Sequence, residues 1–332
     1  MKILVLTDKK SKGIRCITDA VMRAALEKQV KCEPLDLSDH VFNAAKTSSP
    51  DYLQETADRM AEENADVVLC AGVNAMKLMT KLQCRHPLDV LTYGVFSDYA
   101  GLPLQQEINM DFYCVPHEDI KARLLQQGIE SERVFVTGIP VKKSFREHIG
   151  KAAARNYLVI PKNRRIYLLI ADGLSVDTTL RLCEELSAAE TQDYVLYIPT
   201  TRSSPLRDKL MQCSQKDTHV RIITYTKQLQ LYFESADAML LKPDTLMSTE
   251  AAVSGVPIVY LCLNEKSEDG EFFVRHEMAV IGQSIRDTIG KARRFVEEKA
   301  MAARVIQMQY RNIYADAAET IIDLILKRPK TT

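Results

Sequence analysis

The stretch ADAMLLKPDTLMSTEAAVSGVPIVYL, Ala236–Leu261, decides how the second half of the chain folds. An apolar run, Ala238–Leu241, stops at Lys242-Pro243-Asp244-Thr245. A helical stretch follows, then Gly255, Pro257 and a second apolar run. This is strand, tight turn, helix, strand. In such a unit the helix N-terminus faces the space above the sheet, where its free N–H groups and dipole favour an anion. Asp244 stands where that anion would dock. The expectation is that Asp244 caps the helix, accepting the N–H groups a phosphate would have used. The competing idea is that the acids hold a metal or a cationic ligand.

The same alternation runs outward in both directions. MKILVLT, ADVVLCAG, LDVLTYGVFSD, MDFYCVP and RVFVTGIPV read as strands in the first half, with amphipathic helices such as CITDAVMRAALEKQ between them. The pattern restarts at NRRIYLLIAD and continues through DYVLYIPT and HVRIITYT. The apolar runs are continuous rather than alternating, which indicates parallel sheets covered on both faces. The fold class is therefore α/β, with two doubly wound Rossmann-like domains and a cleft between them. The boundaries fall at residues 1–147 and 148–312. KAAARNYLVIPKN bridges the halves, and a final helix within 313–332 packs back on the first domain.

Composition narrows the function. The chain has 332 residues, with Lys+Arg and Asp+Glu at 44 each. No global charge attracts nucleic acid, and no nucleic-acid partner is expected. The eight cysteines contain no CxxC pair, and no histidine stands at ligand spacing from any of them. Zinc is not indicated, no cofactor is expected, and free thiols suit a reducing cytoplasm. MKILVLTDKK lacks the features of a signal peptide, and no apolar run reaches 18 residues. The expected location is cytoplasmic, with the inner face of the cell membrane as an alternative. The helices of IGKARRFVEEKAMAARVIQMQYRNIY invite a weak peripheral membrane contact, but Glu297 and Glu298 dilute their charge and favour a solvated face.

FYCVPHEDIKARLLQQGIESERVFVTGIPVKKSF resembles a segment of the diacylglycerol glycosyltransferases, including monogalactosyldiacylglycerol synthases and processive diacylglycerol glucosyltransferases. The shared run is Asp111–Val115, Gly128-Ile129, Thr137-Gly138-Ile139-Pro140-Val141 and Phe145. Asp66-Val67-Val68 and Ser97-Asp98-Tyr99 match in order, and Ala236–Leu261 resembles the family's nucleotide block. The resemblance covers most of the chain and implies a GT-B fold, with the donor nucleotide held mainly by the second domain. It implies that Glu250 hydrogen-bonds the ribose hydroxyls, a task that suits a carboxylate's lone pairs. Ser248, Thr249, Thr245, Asp244, Gly173, Ser175, Tyr225 and Glu268 fall on the rest of the nucleotide-sugar site. On the acceptor side it implies Gly13, Ile14 and Asp98, the last as base or orienter.

The departures are as informative. Ile14 occupies the position of the family's loop histidine, and isoleucine cannot transfer a proton. Asp244 and Thr245 replace two glycines, and Ala171-Asp172-Gly173-Leu174-Ser175 replaces a second glycine-rich turn. Lys266–Phe272 keeps Glu268 and Gly270 of the sugar block but has Ser267 and Glu271 for its glutamine and asparagine. Two like charges about 4 Å apart repel by roughly 4 kcal/mol at an effective dielectric near 20. Acids facing a diphosphate therefore weaken its binding unless Lys242, Arg202, Lys227, Lys266 or a divalent cation offsets them. His117, opening a helix after a strand, reads as a surface histidine beside Pro116, with a place at the interdomain cleft as the alternative.

Three functions remain open. The first is hexosyl transfer from a UDP-sugar to a lipid hydroxyl, with Asp98 as base and Glu250 on the ribose. The second is a catalytically silent GT-B scaffold that binds a partner. The third and weakest is a sugar-nucleotide 2-epimerase, which shares the fold. The sequence leaves the oligomeric state open.

Overall fold

The structure is a computed structural model describing residues 1–37, 50–100, 108–161, 163–191, 193–202, 204–224, 228–261 and 267–328. Two compact units emerge: Met1–Lys143 with Tyr314–Thr332, and Ser144–Ile313.

In the first unit the strands are β1 (Lys2–Thr7), β2 (Lys31–Asp36), β3 (Val67–Ala71), β4 (Leu91–Val95), β5 (Phe112–Val115) and β6 (Val134–Val136). They form one sheet in the order β2-β1-β3-β4-β5-β6, and every neighbouring pair is parallel. The continuous apolar runs have the cause inferred from sequence: β3 is buried at every residue because helices cover both faces. Those helices are α1 (Lys12–Glu27), α2 (Pro50–Glu63), α3 (Val73–Arg85) and α4 (Glu118–Gln126). The α1 helix buries Cys16, Ile17, Ala20, Val21, Ala24 and Ala25, one stripe at helical spacing.

The second unit holds α5 (Lys151–Tyr157), β7 (Arg165–Ile170), α6 (Val176–Ala189), β8 (Tyr194–Thr200), α7 (Pro205–Lys216), β9 (Val220–Thr224) and α8 (Leu229–Ser235). It continues through β10 (Ala238–Leu241), α9 (Thr245–Val253), β11 (Ile258–Leu261), α10 (Glu268–Arg275), β12 (Ala279–Gly282), α11 (Ile285–Glu297) and α12 (Lys299–Asn312). Its sheet, β12-β11-β10-β7-β8-β9, is again wholly parallel. Counted from β7, this is the Rossmann order 3-2-1-4-5-6.

The chain then returns to the first unit as α13 (Ala317–Lys327), which packs on α1. Gly138 lets it do so. Its φ is +88°, and a Cβ there would lie 2.8 Å from the Tyr314 carbonyl oxygen and Cβ. Lys28 pairs with Asp323, and the Arg328 guanidinium lies 4.6 Å from the Phe135 ring centroid. Ile321, Ile322 and Ile325 are fully buried. Truncating Ile325→Ala should cost about 2–5 kcal/mol of first-unit stability, measured by urea denaturation. An unchanged unfolding midpoint would mean that α13 is not part of this core.

Candidate functional site

Ligands of doubly wound sheets sit outside the carboxyl ends of the strands, where the strand order reverses. In the second unit that point lies between β7 and β10. The turn after β7 is Ala171–Ser175 and the turn after β10 is Lys242–Asp244. The two touch: a Cβ on Gly173 would lie 3.5 Å from Lys242 Cδ. Asp172, Gly173 and Ser175 are exposed, and Lys242 is half-buried.

Helix N-termini converge on this crevice, and each carries its own cap. Asp244 is extended, with φ −149° and ψ 129°, and its Oδ1 accepts the Met247 amide at 2.8 Å. The acid at the opening of the sequence therefore closes α9, as a capping residue does. Ser175 caps α6 by accepting the Thr178 amide at 3.1 Å, and Ser267 caps α10 through the Gly270 amide at 3.2 Å. The starts of α9 and α10 are tied together, because the Thr245 hydroxyl donates to Asp269. Gly270 permits this closeness, since a Cβ on it would meet Pro243 at 2.9 Å.

Behind its exposed cap, α9 is buried all round. Ser248 accepts a hydrogen bond from the Tyr260 hydroxyl at 2.8 Å, and Thr249 donates to the Thr245 carbonyl at 2.7 Å. Both hydroxyls are engaged within the unit. Glu250, the next residue of α9, is 2% exposed. Glu268 is exposed on the first turn of α10. Tyr225, Lys227 and Lys266 lie outside the described residues. Arg202, at the end of β8, is exposed.

The first unit has its own reversal between β1 and β3, bordered by the end of β4. Ser11 caps α1 through the Ile14 amide at 3.4 Å. Gly72 caps α3 with φ +81° and no side-chain bond. Ile14 fills the notch above it: its Cδ1 lies 2.5 Å from where a Gly72 Cβ would stand, and Ser97 Oγ lies 3.5 Å from the same point. An aliphatic side chain thus occupies the place where the resemblance puts a proton-transferring ring. Gly13 is in the first turn of α1, and a Cβ there would meet nothing within 4 Å. Asp98 is half-buried, and the Ser97 hydroxyl donates to its Oδ2 at 3.4 Å.

One acid escaped the sequence reading. Asp8 follows β1 directly and is 7% exposed. Its Oδ1 accepts the Lys10 amide at 2.9 Å, while Oδ2 is buried with no hydrogen bond. An acid immediately after the first apolar run is the signal that marks it. His117 needs correcting. It is 7% exposed rather than a surface residue, and its Nδ1 accepts the Asp119 amide at 3.2 Å as the cap of α4.

Basic groups at the start of the second unit and on its tail helices are matched by acids. Lys151 and Arg155 share Asp237 at 2.5 and 2.7 Å, Arg164 pairs with Asp193 at 2.8 Å, and Arg165 with Glu190 at 2.9 Å. On the tail helices Arg294 pairs with Glu298 and Arg304 with Glu277, both at 2.8 Å. No helix among the described residues is long and apolar enough to cross a membrane.

A sequence profile of the monogalactosyldiacylglycerol (MGDG) synthase family matches residues 36–141. A processive diacylglycerol beta-glucosyltransferase of Bacillus cereus (strain AH187) is 23% identical over 246 residues, spanning 72% of this chain and 62% of that protein. Both similarities are to diacylglycerol glycosyltransferases. A second relative of the same description, from Bacillus pumilus (strain SAFR-032), is 22% identical over 301 residues, 87% of this chain and 76% of that one. This chain therefore spans about 62% of the length of the first relatives it matches. Among solved structures, the UDP-GlcNAc 2-epimerase from Neisseria meningitidis bound to UDP-GlcNAc superposes with a TM-score of 0.71 at 16% identity, covering 99% of this chain and 100% of that one. The chain thus shares a two-domain Rossmann-like fold with this epimerase.

The cap on α9 has a measurable worth. Asp244→Ala should lower second-unit stability by about 1 kcal/mol, while Asp244→Ser should stay within a few tenths of wild type. Urea unfolding of the two variants checks this, and an unaffected alanine variant would remove the cap from the account.

Proposed function

We propose that the chain transfers a hexosyl group from a UDP-sugar to a hydroxyl of a diacylglycerol-type lipid. The observation that carries this reading is the start of α9 at the β7/β10 reversal, with Lys242 beside it and Glu250 in the same helix. The N-terminus and Lys242 would meet the diphosphate, and Glu250 would take the ribose hydroxyls once the donor is seated. The names of the relatives supply the acceptor class, and the UDP-GlcNAc held by the structural neighbour supports a nucleotide-sugar donor.

Inverting transfer needs a base on the acceptor hydroxyl and an electrophilic environment for the departing UDP. With Ile14 in the histidine position, the base falls to a carboxylate. Asp98, beyond β4, is the first candidate and Asp8, directly after β1, is the second. No metal is required by this scheme, since Lys242 and the α9 dipole supply positive potential.

A second reading is favoured by the same two features. The Asp244 cap and the Ile14 plug both oppose chemistry, and a silent scaffold that binds a partner would keep them. Calorimetric titration with UDP, with and without magnesium, separates the two. On the transferase reading wild type binds at micromolar UDP, and Glu250→Ala weakens binding by roughly tenfold to a hundredfold through lost charged hydrogen bonds. Asp98→Asn should leave UDP affinity unchanged and lower the rate of glycolipid formation by about a hundredfold or more. If wild type ignores millimolar UDP and Asp244→Gly binds it, the scaffold reading replaces the first.

A further inference from the structure

The second unit has a cavity of about 600 Å³ that the nucleotide crevice does not explain. Its wall includes Ala236 and Asp237, just before β10, and Pro257, just before β11. Those are the amino ends of parallel strands, so the cavity and the β7/β10 crevice open at opposite ends of one sheet. Its size is in the range of small-molecule sites.

Glu234 is its chemical centre. It is 6% exposed at the end of α8 and lines the cavity. Its Oε2 has a structural role, accepting the Ile149 and Gly150 amides at 3.1 and 2.9 Å where α5 begins with a glycine that has no side chain to offer. Its Oε1 is buried and makes no hydrogen bond. The nearest cationic candidate, His148 Nδ1, is 3.9 Å away, beyond hydrogen-bond reach. A buried carboxylate oxygen without a donor is costly, so this one calls for a hydroxyl or amine from outside the chain.

The charge around it has a sign. Lys151, Arg155 and Lys299 line the cavity against Asp237 and Glu234. Asp237 is already taken by Lys151, Arg155 and the Ile166 amide. Lys299 has no acidic partner among the described residues. Burial holds the Lys151 ammonium below its usual range, and the charges of Arg155 and Lys299 add to this against the pull of Asp237. An anion seated between Lys151 and Lys299 would relieve that repulsion. Phe295 and Ile306 supply an apolar wall beside it.

We propose that this cavity binds a small phosphate ester bearing a free hydroxyl, with its phosphate on Lys299 and Lys151 and its hydroxyl donating to Glu234 Oε1. A glycerol phosphate has this chemistry, whether free in solution or as the headgroup of a lipid.

Calorimetry on the full chain with sn-glycerol 3-phosphate, inorganic phosphate and glycerol tests it. The ester should bind saturably and at least tenfold more tightly than inorganic phosphate, and saturating UDP should leave its affinity unchanged. Lys299→Ala, at an exposed position without a partner, should fold normally and bind about tenfold more weakly. Flotation with phosphatidylglycerol vesicles, against phosphatidylcholine vesicles, separates the sources. Retention lost in Lys299→Ala and competed by glycerol 3-phosphate points to the headgroup, whereas binding of the soluble ester alone points to the free compound. The proposal is overturned if neither form binds, if inorganic phosphate binds as well as the ester, if Lys299→Ala changes nothing, or if UDP competes. Because the site stands apart from the nucleotide crevice, a chain that ignores UDP can still pass this test.

Discussion

A carboxylate oxygen 2.8 Å from the Met247 amide closes the helix at the β7/β10 reversal, and the electrostatics of the second unit follow from it. That helix is buried on every side, so it has no alternative position from which to face the crevice. Its N-terminus must therefore serve one anion at a time. In this chain the resident anion is Asp244, and any other anion reaching the crevice meets a carboxylate before it meets a dipole. Lys242, beside the neighbouring Gly173, is a local group able to shift that balance.

The first unit reaches a comparable state by an apolar route. Ile14 lies over Gly72 and fills the notch above the start of α3. One crevice is thus occupied by charge and the other by volume. Both substitutions leave the sheets and helices intact, because both sit at the ends of strands rather than within them. Sites on doubly wound folds change more readily than the folds that carry them for this reason.

The fold was legible because parallel strands buried on both faces write long apolar runs, as in Val67–Ala71 and Ala238–Leu241. Asp244 was legible as a cap because its side chain acts on amides three residues away. Strand order was not, since nothing local in Arg165–Ile170 says that its neighbours are β8 and β10. Glu250 looked like a ligand residue from its place in a motif, but its depth depends on how α9 is enclosed. The hydroxyls of Ser248 and Thr249 bond within the second unit, to groups that only the fold and the helix geometry bring near. Asp8 and the open oxygen of Glu234 escaped notice altogether, because an unmet hydrogen bond is a property of surroundings and leaves no trace in a single residue's identity.

The return of the chain to the first unit bears on the order of events during synthesis. Residues up to Lys143 leave the ribosome with α1 lacking the partner that Ile321, Ile322 and Ile325 provide. At 5–20 residues per second the missing helix follows on the order of ten to forty seconds later. During that interval the second unit can complete its own sheet, while the first waits with an uncovered apolar helix face. The first unit is therefore finished after the second, and α1 keeps an uncovered apolar face until α13 arrives.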